Sequence, residues 1–344
     1  MKIKLLLIIF ILLLFSSIGI VSAAGGNGIA SGGCDDSEEL YNPGEYKTGK
    51  IDTTITSVHG EYNVTIYYPA TEEGYSQPVD RSGAPYPMIL FGHGMMASKD
   101  YYTWMGDYLS TWGYLTTLIS TPSIIDLDEL FNSDTGRGES IEGFILAYEY
   151  LSDLNSDATS PLYGMIDTEA VGISGHSLGA YSGTLLLDEN AIPLKAAVLF
   201  APPNIEEGIT IGGINIKGPS YASVDWENIT AAVQYQVGSN DGMVPTEGVW
   251  ELYDLLPGKK EMIEVNGANH SGYMDPGLET YFANLLDDEA TITMQEHHRI
   301  ISDYMLAWFE YYLRGDMSYN DQLFGSIIEN EKVSGAILDY EYEK

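Results

Sequence analysis

The chain has 344 residues, 44% of them hydrophobic, enough to bury one sizeable core. Fifty acidic residues stand against 15 basic ones, a formal charge of −35 that repels nucleic acid and anionic lipid and excludes both as partners. The single cysteine, Cys34, excludes an internal disulfide. No acidic cluster has calcium-loop spacing, so neither a metal site nor a cofactor is expected.

At the N-terminus, Lys2 and Lys4 precede an apolar run from Leu5 to Phe15 and a small-residue exit through Ser22-Ala23. This is the layout of a secretory signal peptide over residues 1–23, cut after Ala23, and it predicts a secreted or cell-surface protein. An uncleaved membrane anchor is the alternative, because the apolar stretch nearly reaches spanning length. Glycine-rich residues 24–50 read as a flexible linker. Cys34 within it lies well beyond the apolar run and lacks a preceding leucine, so a free or intermolecular thiol is expected rather than a lipid anchor. The acidic surface favours a monomer, most of all at high salt where screening relieves self-repulsion; a salt-adapted and a merely acidic secreted protein both fit.

From residue 51 onward apolar strands alternate with helical patterns. This predicts an α/β class: a mainly parallel, doubly wound sheet with helices on both faces, in one catalytic domain over residues 51–316. The strand Pro87-Met88-Ile89-Leu90-Phe91 breaks into Gly92-His93-Gly94-Met95, a loop whose Met95 amide can serve as an oxyanion donor while His93 braces the loop. Asp100 to Leu109 follows as an amphipathic helix with its tyrosines and tryptophan expected in packing.

The apolar run Ala170-Val171-Gly172-Ile173-Ser174 then meets Gly175-His176-Ser177-Leu178-Gly179 and opens into a helix. Strand, sharp turn, helix is the setting of a nucleophile elbow, with Ser177 as nucleophile and the Leu178 amide as the other oxyanion donor. A plain tight turn is the alternative. The strand Leu194–Phe200 comes next. Residues 204–228 are long enough to form a flap near the site. The strand Ala231–Val237 then ends in Asn240-Asp241-Gly242, where Asp241 is either a turn residue or the triad acid. After the short strand Lys260–Val265, a loop carries His270.

Six histidines compete for the role of base. His59 belongs to an early hairpin turn, His93 to the oxyanion loop, His176 to the variable position of the elbow, and His297 and His298 to a long helical pattern. His270 remains, in the expected chain order of nucleophile, acid and histidine. Asn63, Asn228 and Asn269 each open an N-glycosylation pattern, which chance explains; a glycan on Asn269 would block the base. Residues 317–344 read as an acidic C-terminal tail.

The order His93-Gly94-Met95, Gly175-His176-Ser177-Leu178-Gly179, Asp241, His270 resembles the α/β-hydrolase superfamily. It is most similar to the branch of bacterial cutinases and polyester (PET) hydrolases, with chlorophyllases and dienelactone hydrolases as cousins. Leu194–Pro202 resembles that branch's strand after the elbow, and Ile300–Phe309 its last helix. The resemblance implies an α/β-hydrolase fold and a serine esterase acting on a small-molecule, lipid or polyester ester, with a Ser177–Asp241–His270 triad. Three departures bear on substrate. Met95 stands where the family has an aromatic residue, Leu178 where it usually has Met, and Pro203 where polyester hydrolases often carry Trp. An ester hydrolase not specialised for aromatic polyesters is therefore expected. A peptidase or other acyl hydrolase would use the same triad, and an inactive hydrolase scaffold serving as a surface binding protein is the other alternative.

Overall fold

Parallel strands covered on both faces must be apolar at every position rather than at alternate ones. The sequence Tyr86-Pro87-Met88-Ile89-Leu90-Phe91-Gly92 meets that demand and is buried throughout. The structure is a computed structural model that describes residues 41–121, 134–204, 209–211, 214–216 and 221–344. The expected leader and Cys34 lie outside the described residues.

In chain order the strands are β1 (Lys47–Ser57), β2 (Gly60–Ala70), β3 (Gly74–Tyr75), β4 (Tyr86–Gly92), β5 (Leu115–Ser120), β6 (Ile166–His176), β7 (Leu194–Phe200), β8 (Ile209–Ile211), β9 (Ile214–Ile216), β10 (Ala232–Gly238), β11 (Lys260–Val265) and β12 (Ile337–Glu343). Among the described residues, ten of them form one sheet in the order β12-β11-β10-β7-β6-β4-β5-β2-β1-β3. Its centre, β5-β4-β6-β7-β10-β11, is parallel throughout. Antiparallel pairs occur toward the edges, where β2 pairs with β5 and with β1, and β12 with β11. His59 sits exposed in the two-residue turn between β1 and β2, as expected of a hairpin residue.

The helices are α1 (Thr103–Thr111), α2 (Asp134–Ser156), α3 (Leu178–Glu189), α4 (Thr246–Leu255), α5 (Leu278–Asn284), α6 (Met294–Phe309), α7 (Asn320–Phe324) and α8 (Ser326–Ser334). α2 and α3 pack together over β4 and β6, while α1 meets α6 and α6 covers β7, β10 and β11. This is the doubly wound α/β arrangement expected from the alternation of strands and helices. The helix expected from Asp100 to Leu109 is split: a single turn, Lys99–Tyr101, precedes α1. Residues 204–228 hold the antiparallel hairpin β8–β9 and the short turns Tyr221–Ser223 and Trp226–Asn228.

Both ends of the folded region run further than the composition suggested. The sheet begins at Lys47, inside the segment expected to be linker, and Tyr41 and Tyr46 pack edge-to-face on Tyr108 and Tyr86. Residues 317–344 are not a free tail. Leu323 and Ile328 are fully buried, and β12 adds an antiparallel edge strand to the sheet. The acidic side chains of β12 face solvent, which is how an edge strand avoids pairing with another chain. High charge and strand character coincide here, so composition alone hid the strand.

Candidate active site

Ser177 lies between the last residue of β6 and the first of α3. Its backbone has φ +53° and ψ −116°, a conformation that L-residues rarely adopt and that costs on the order of 1–3 kcal/mol. The flanking glycines make the turn possible. A Cβ on Gly175 would meet the Gly179 carbonyl carbon and oxygen at 2.5 Å, and one on Gly179 would meet the Gly92 carbonyl oxygen at 2.1 Å. The elbow is thus pressed against the end of β4, the strand that leads into His93-Gly94-Met95. Gly179→Ala is expected to cost about 1–3 kcal/mol of stability and to displace that loop, which denaturant unfolding followed with activity will reveal.

Leu178 opens α3, so its amide is one of the helix-start N–H groups that have no carbonyl partner within the helix. The Gly94 end of the oxyanion loop faces the same point: a Cβ there would stand 3.4 Å from Ser177 Cβ and 3.2 Å from His176 Nδ1. Met95 and Leu178 are both partly exposed. Tyr102, which sequence reasoning passed over as a packing residue, holds this loop. Its hydroxyl accepts from the Gly94 amide at 3.2 Å and donates to His176 Nδ1 at 2.9 Å. His93 braces the loop as expected, donating from Nδ1 to the Gly94 carbonyl at 2.7 Å and accepting at Nε2 from the Thr121 amide at 3.2 Å.

Asp241 and His270 sit on the loops after β10 and β11, neighbouring parallel strands, so both loops emerge at the same end of the sheet. His270 Nδ1 donates to Asp241 Oδ2 at 2.7 Å, and the other Asp241 oxygen accepts from the Met243 and Val244 amides at 2.9 and 2.7 Å. The acid is fully occupied and fully buried. Burial alone would push the His270 imidazole down, but the charge and hydrogen bond of Asp241, with Asp287 adding, hold it above its ordinary value.

The rings of His270 and of His176, the residue before Ser177, lie with centroids 4.4 Å apart. Ser177 makes no hydrogen bond of its own to His270, a bond that in substrate-free sites commonly tightens only once substrate is bound. Ser177 and His270 are each 6% exposed.

His176, His297 and His298 are all pushed below the ordinary imidazole value, chiefly by burial, and so are neutral packing groups. His298 Nε2 donates to the Gly272 carbonyl at 2.8 Å, and its ring lies 4.4 Å from that of Trp104. Asn269 is buried, its amide donating to Asn284 and to the Asp288 carbonyl, so it is occupied in structure rather than open to glycosylation.

Sequence reasoning also missed Asp287. Its carboxylate accepts from the Gly242 amide at 2.9 Å and the Ser271 amide at 2.8 Å, the residues that follow Asp241 and His270. No sequence motif surrounds it. Among the described residues, no group of three or more His, Cys, Asp or Glu could hold a metal ion.

The model of a family described as PET hydrolase-like matches residues 40–340. Cutinase 1 of Thermobifida cellulosilytica is 21% identical over 297 residues, covering 83% of this chain and 90% of that protein. A bis(hydroxyethyl) terephthalate hydrolase of Streptomyces coelicolor is 23% identical over 230 residues, 66% of this chain and 61% of the relative. Cutinase est2 of Thermobifida alba is 24% identical over 210 residues, 60% of this chain and 56% of its own. The match runs from just before the first packed tyrosine into the edge strand β12, and the chain belongs to the PET hydrolase-like family, in the cutinase branch of the α/β-hydrolases.

Proposed function

We propose that this chain is a secreted serine hydrolase that cleaves carboxylic esters through an acyl-enzyme on Ser177. The observation that carries the reading is the hydrogen-bonded Asp241–His270 pair, whose imidazole ring packs against the residue preceding a serine at φ +53°. His270 takes the Ser177 proton as the oxygen attacks the ester carbonyl, and Asp241 stabilises the imidazolium that forms. The Leu178 and Met95 amides receive the oxyanion, with the N-terminus of α3 adding its positive end. Collapse of the tetrahedral intermediate expels the alcohol, which takes its proton from His270. Water then releases the acid by the same steps in reverse order.

Membership of a family with cutinases and a terephthalate-ester hydrolase supports an ester bond as the one cleaved. Within that family this chain is an ester hydrolase not specialised for aromatic polyesters. Met95 and Leu178 replace the usual residues at the oxyanion site, and buried Pro203 follows Ala201-Pro202 where a tryptophan could otherwise flank the substrate. The leader supports export, and among the described residues no helix is long and apolar enough to cross a membrane. A substrate series of p-nitrophenyl acyl esters from acetate to palmitate, run beside p-nitroanilides at low and multimolar salt, tests the reading. Ester turnover supports it; amide turnover without ester turnover, or no turnover by folded protein, refutes it.

The pH profile follows from the same pair. Only the neutral imidazole can accept the Ser177 proton, and His270 is held above the ordinary value of 6.5. The acid limb of kcat/KM is therefore expected above pH 6.5, with activity rising as pH increases through it. A limb below that value would contradict the charge environment of His270.

A further inference from the structure

Behind the two triad loops, residues 284–291 form a strap that touches both of them. Asn240 Nδ2 donates to the Glu289 carbonyl at 2.9 Å, Asn269 Nδ2 to the Asp288 carbonyl at 2.9 Å, and the Thr291 amide to the Gly267 carbonyl at 2.8 Å. The strap lies so close to the Asp241 loop that a Cβ on Gly242 would meet the Asp288 amide nitrogen at 2.6 Å. Asp287 is the one side chain of the strap that bonds to both loops. One oxygen accepts from Gly242, next to Asp241, and the other from Ser271, next to His270.

We propose that Asp287 is a positioning residue for the hydrolysis: its carboxylate clamps the Asp241 loop to the His270 loop and places a second negative charge beside the histidine. The inference rests on the ester-hydrolase reading of the site. Two loops from adjacent strands can shift relative to one another unless something spans them, and the Asp241–His270 bond alone would have to hold them in register. A single carboxylate accepting from both backbones sets that register independently of the triad's own bond. It also faces the group that becomes positive in the transition state.

The titratable groups around His270 come from five elements: Asp241 after β10, Asp287 on the strap, His176 at the elbow, Tyr273 on the histidine's own turn and, behind Tyr273, His297 of α6. Burial keeps His176 and His297 neutral and Tyr273 protonated, so the two aspartates are the charges that His270 senses. The three amides of Gly242, Ser271 and Asp288 donate to Asp287 and favour its charged form, against the burial and the neighbouring Asp241 that raise it.

The test is kcat and KM for p-nitrophenyl butyrate as a function of pH in wild type and Asp287→Asn. An asparagine retains the size but loses the charge and one of the two acceptors. The expected result is a plateau kcat lower by about tenfold at nearly unchanged KM. The acid limb should move to lower pH by about half a unit to one unit, because a charge that stabilises the imidazolium has gone. A lower plateau with an unmoved acid limb reduces Asp287 to scaffolding and overturns the inference, as does a wild-type profile in the variant; either leaves the ester reading standing. A wild type that turns over no ester overturns both.

Should Asp287→Asn not fold, wild-type protein decides by NMR. The Gly242 and Ser271 amide protons should titrate with one shared midpoint below that of the His270 ring. Two amides with unrelated pH dependence would overturn the clamp.

Discussion

Ser177→Ala is expected to lower ester turnover by on the order of a million-fold while leaving the fold intact, measured as kcat on p-nitrophenyl butyrate beside the circular dichroism of the variant. The hydroxyl has no substitute among its neighbours. His176 is neutral and packed, and the Ser182 hydroxyl one turn along α3 is directed back to the Leu178 carbonyl. What remains would be the binding and oxyanion contributions alone. Ser177→Gly offers a second reading of the same position. It should lose turnover equally yet gain about 1 kcal/mol of stability, since glycine adopts φ +53° without strain and offsets its greater unfolded-state entropy. A thermal midpoint for Ser177→Gly at or below that of Ser177→Ala would mean that the elbow stores no strain. Retained activity in either variant would remove Ser177 from the mechanism.

Asp241→Asn should cost on the order of ten-thousand-fold in kcat, for a reason visible in the hydrogen bonds. Two backbone amides, of Met243 and Val244, hold one carboxylate oxygen, and the His270 ring holds the other. An asparagine must keep its oxygen toward the two amides, so its NH2 turns toward His270 Nδ1. The imidazole then accepts there and carries its proton on Nε2, where it cannot take the serine's. Because the side chain is buried and nearly the same size, the variant should fold and still bind substrate, with the loss falling on kcat rather than KM. The low-field proton resonance of the Asp–His bond should vanish with it. A variant within tenfold of wild type would show that another carboxylate orients the ring, and Asp287 would be the one to examine.

The parts of the molecule that were legible in the chain are those whose cause is local. β4, and β6 from Ala170 onward, are buried at every position because they are covered on both faces, so their existence and type could be read directly, and each runs to within a few residues of its expected bounds. The elbow was readable for the same reason. The two glycines, the serine and the helix that follows are contiguous, and the space that Gly175 and Gly179 vacate lies within one turn or at the end of the adjoining strand. The placement of His270 came from its position after a strand, which topology converts into proximity to Asp241.

Where the reading failed, charge masked pattern. Three of the seven residues of β12 are acidic, which lends the segment the composition of a tail, and the glycines before residue 50 outweigh Tyr41 and Tyr46, which anchor the start of the fold. Neither segment has a buried face wide enough to leave a periodic signal. β12 buries only Ile337 well and relies on backbone pairing with β11.

The amino-acid sequence by itself determined the α/β class, the strained serine and the chain order of the candidate triad, because hydrophobic runs and glycine positions act over a few residues and survive without tertiary context. Only the tertiary structure decided what holds those groups in place. Tyr102 meets His176 across 74 residues of chain, and Asp287 meets Gly242 across 45 and Ser271 across 16. A hydroxyl or carboxylate that satisfies a distant backbone amide has no spacing, periodicity or neighbour to announce it. Its role exists only once folding has removed water from the amide and left that one side chain within reach.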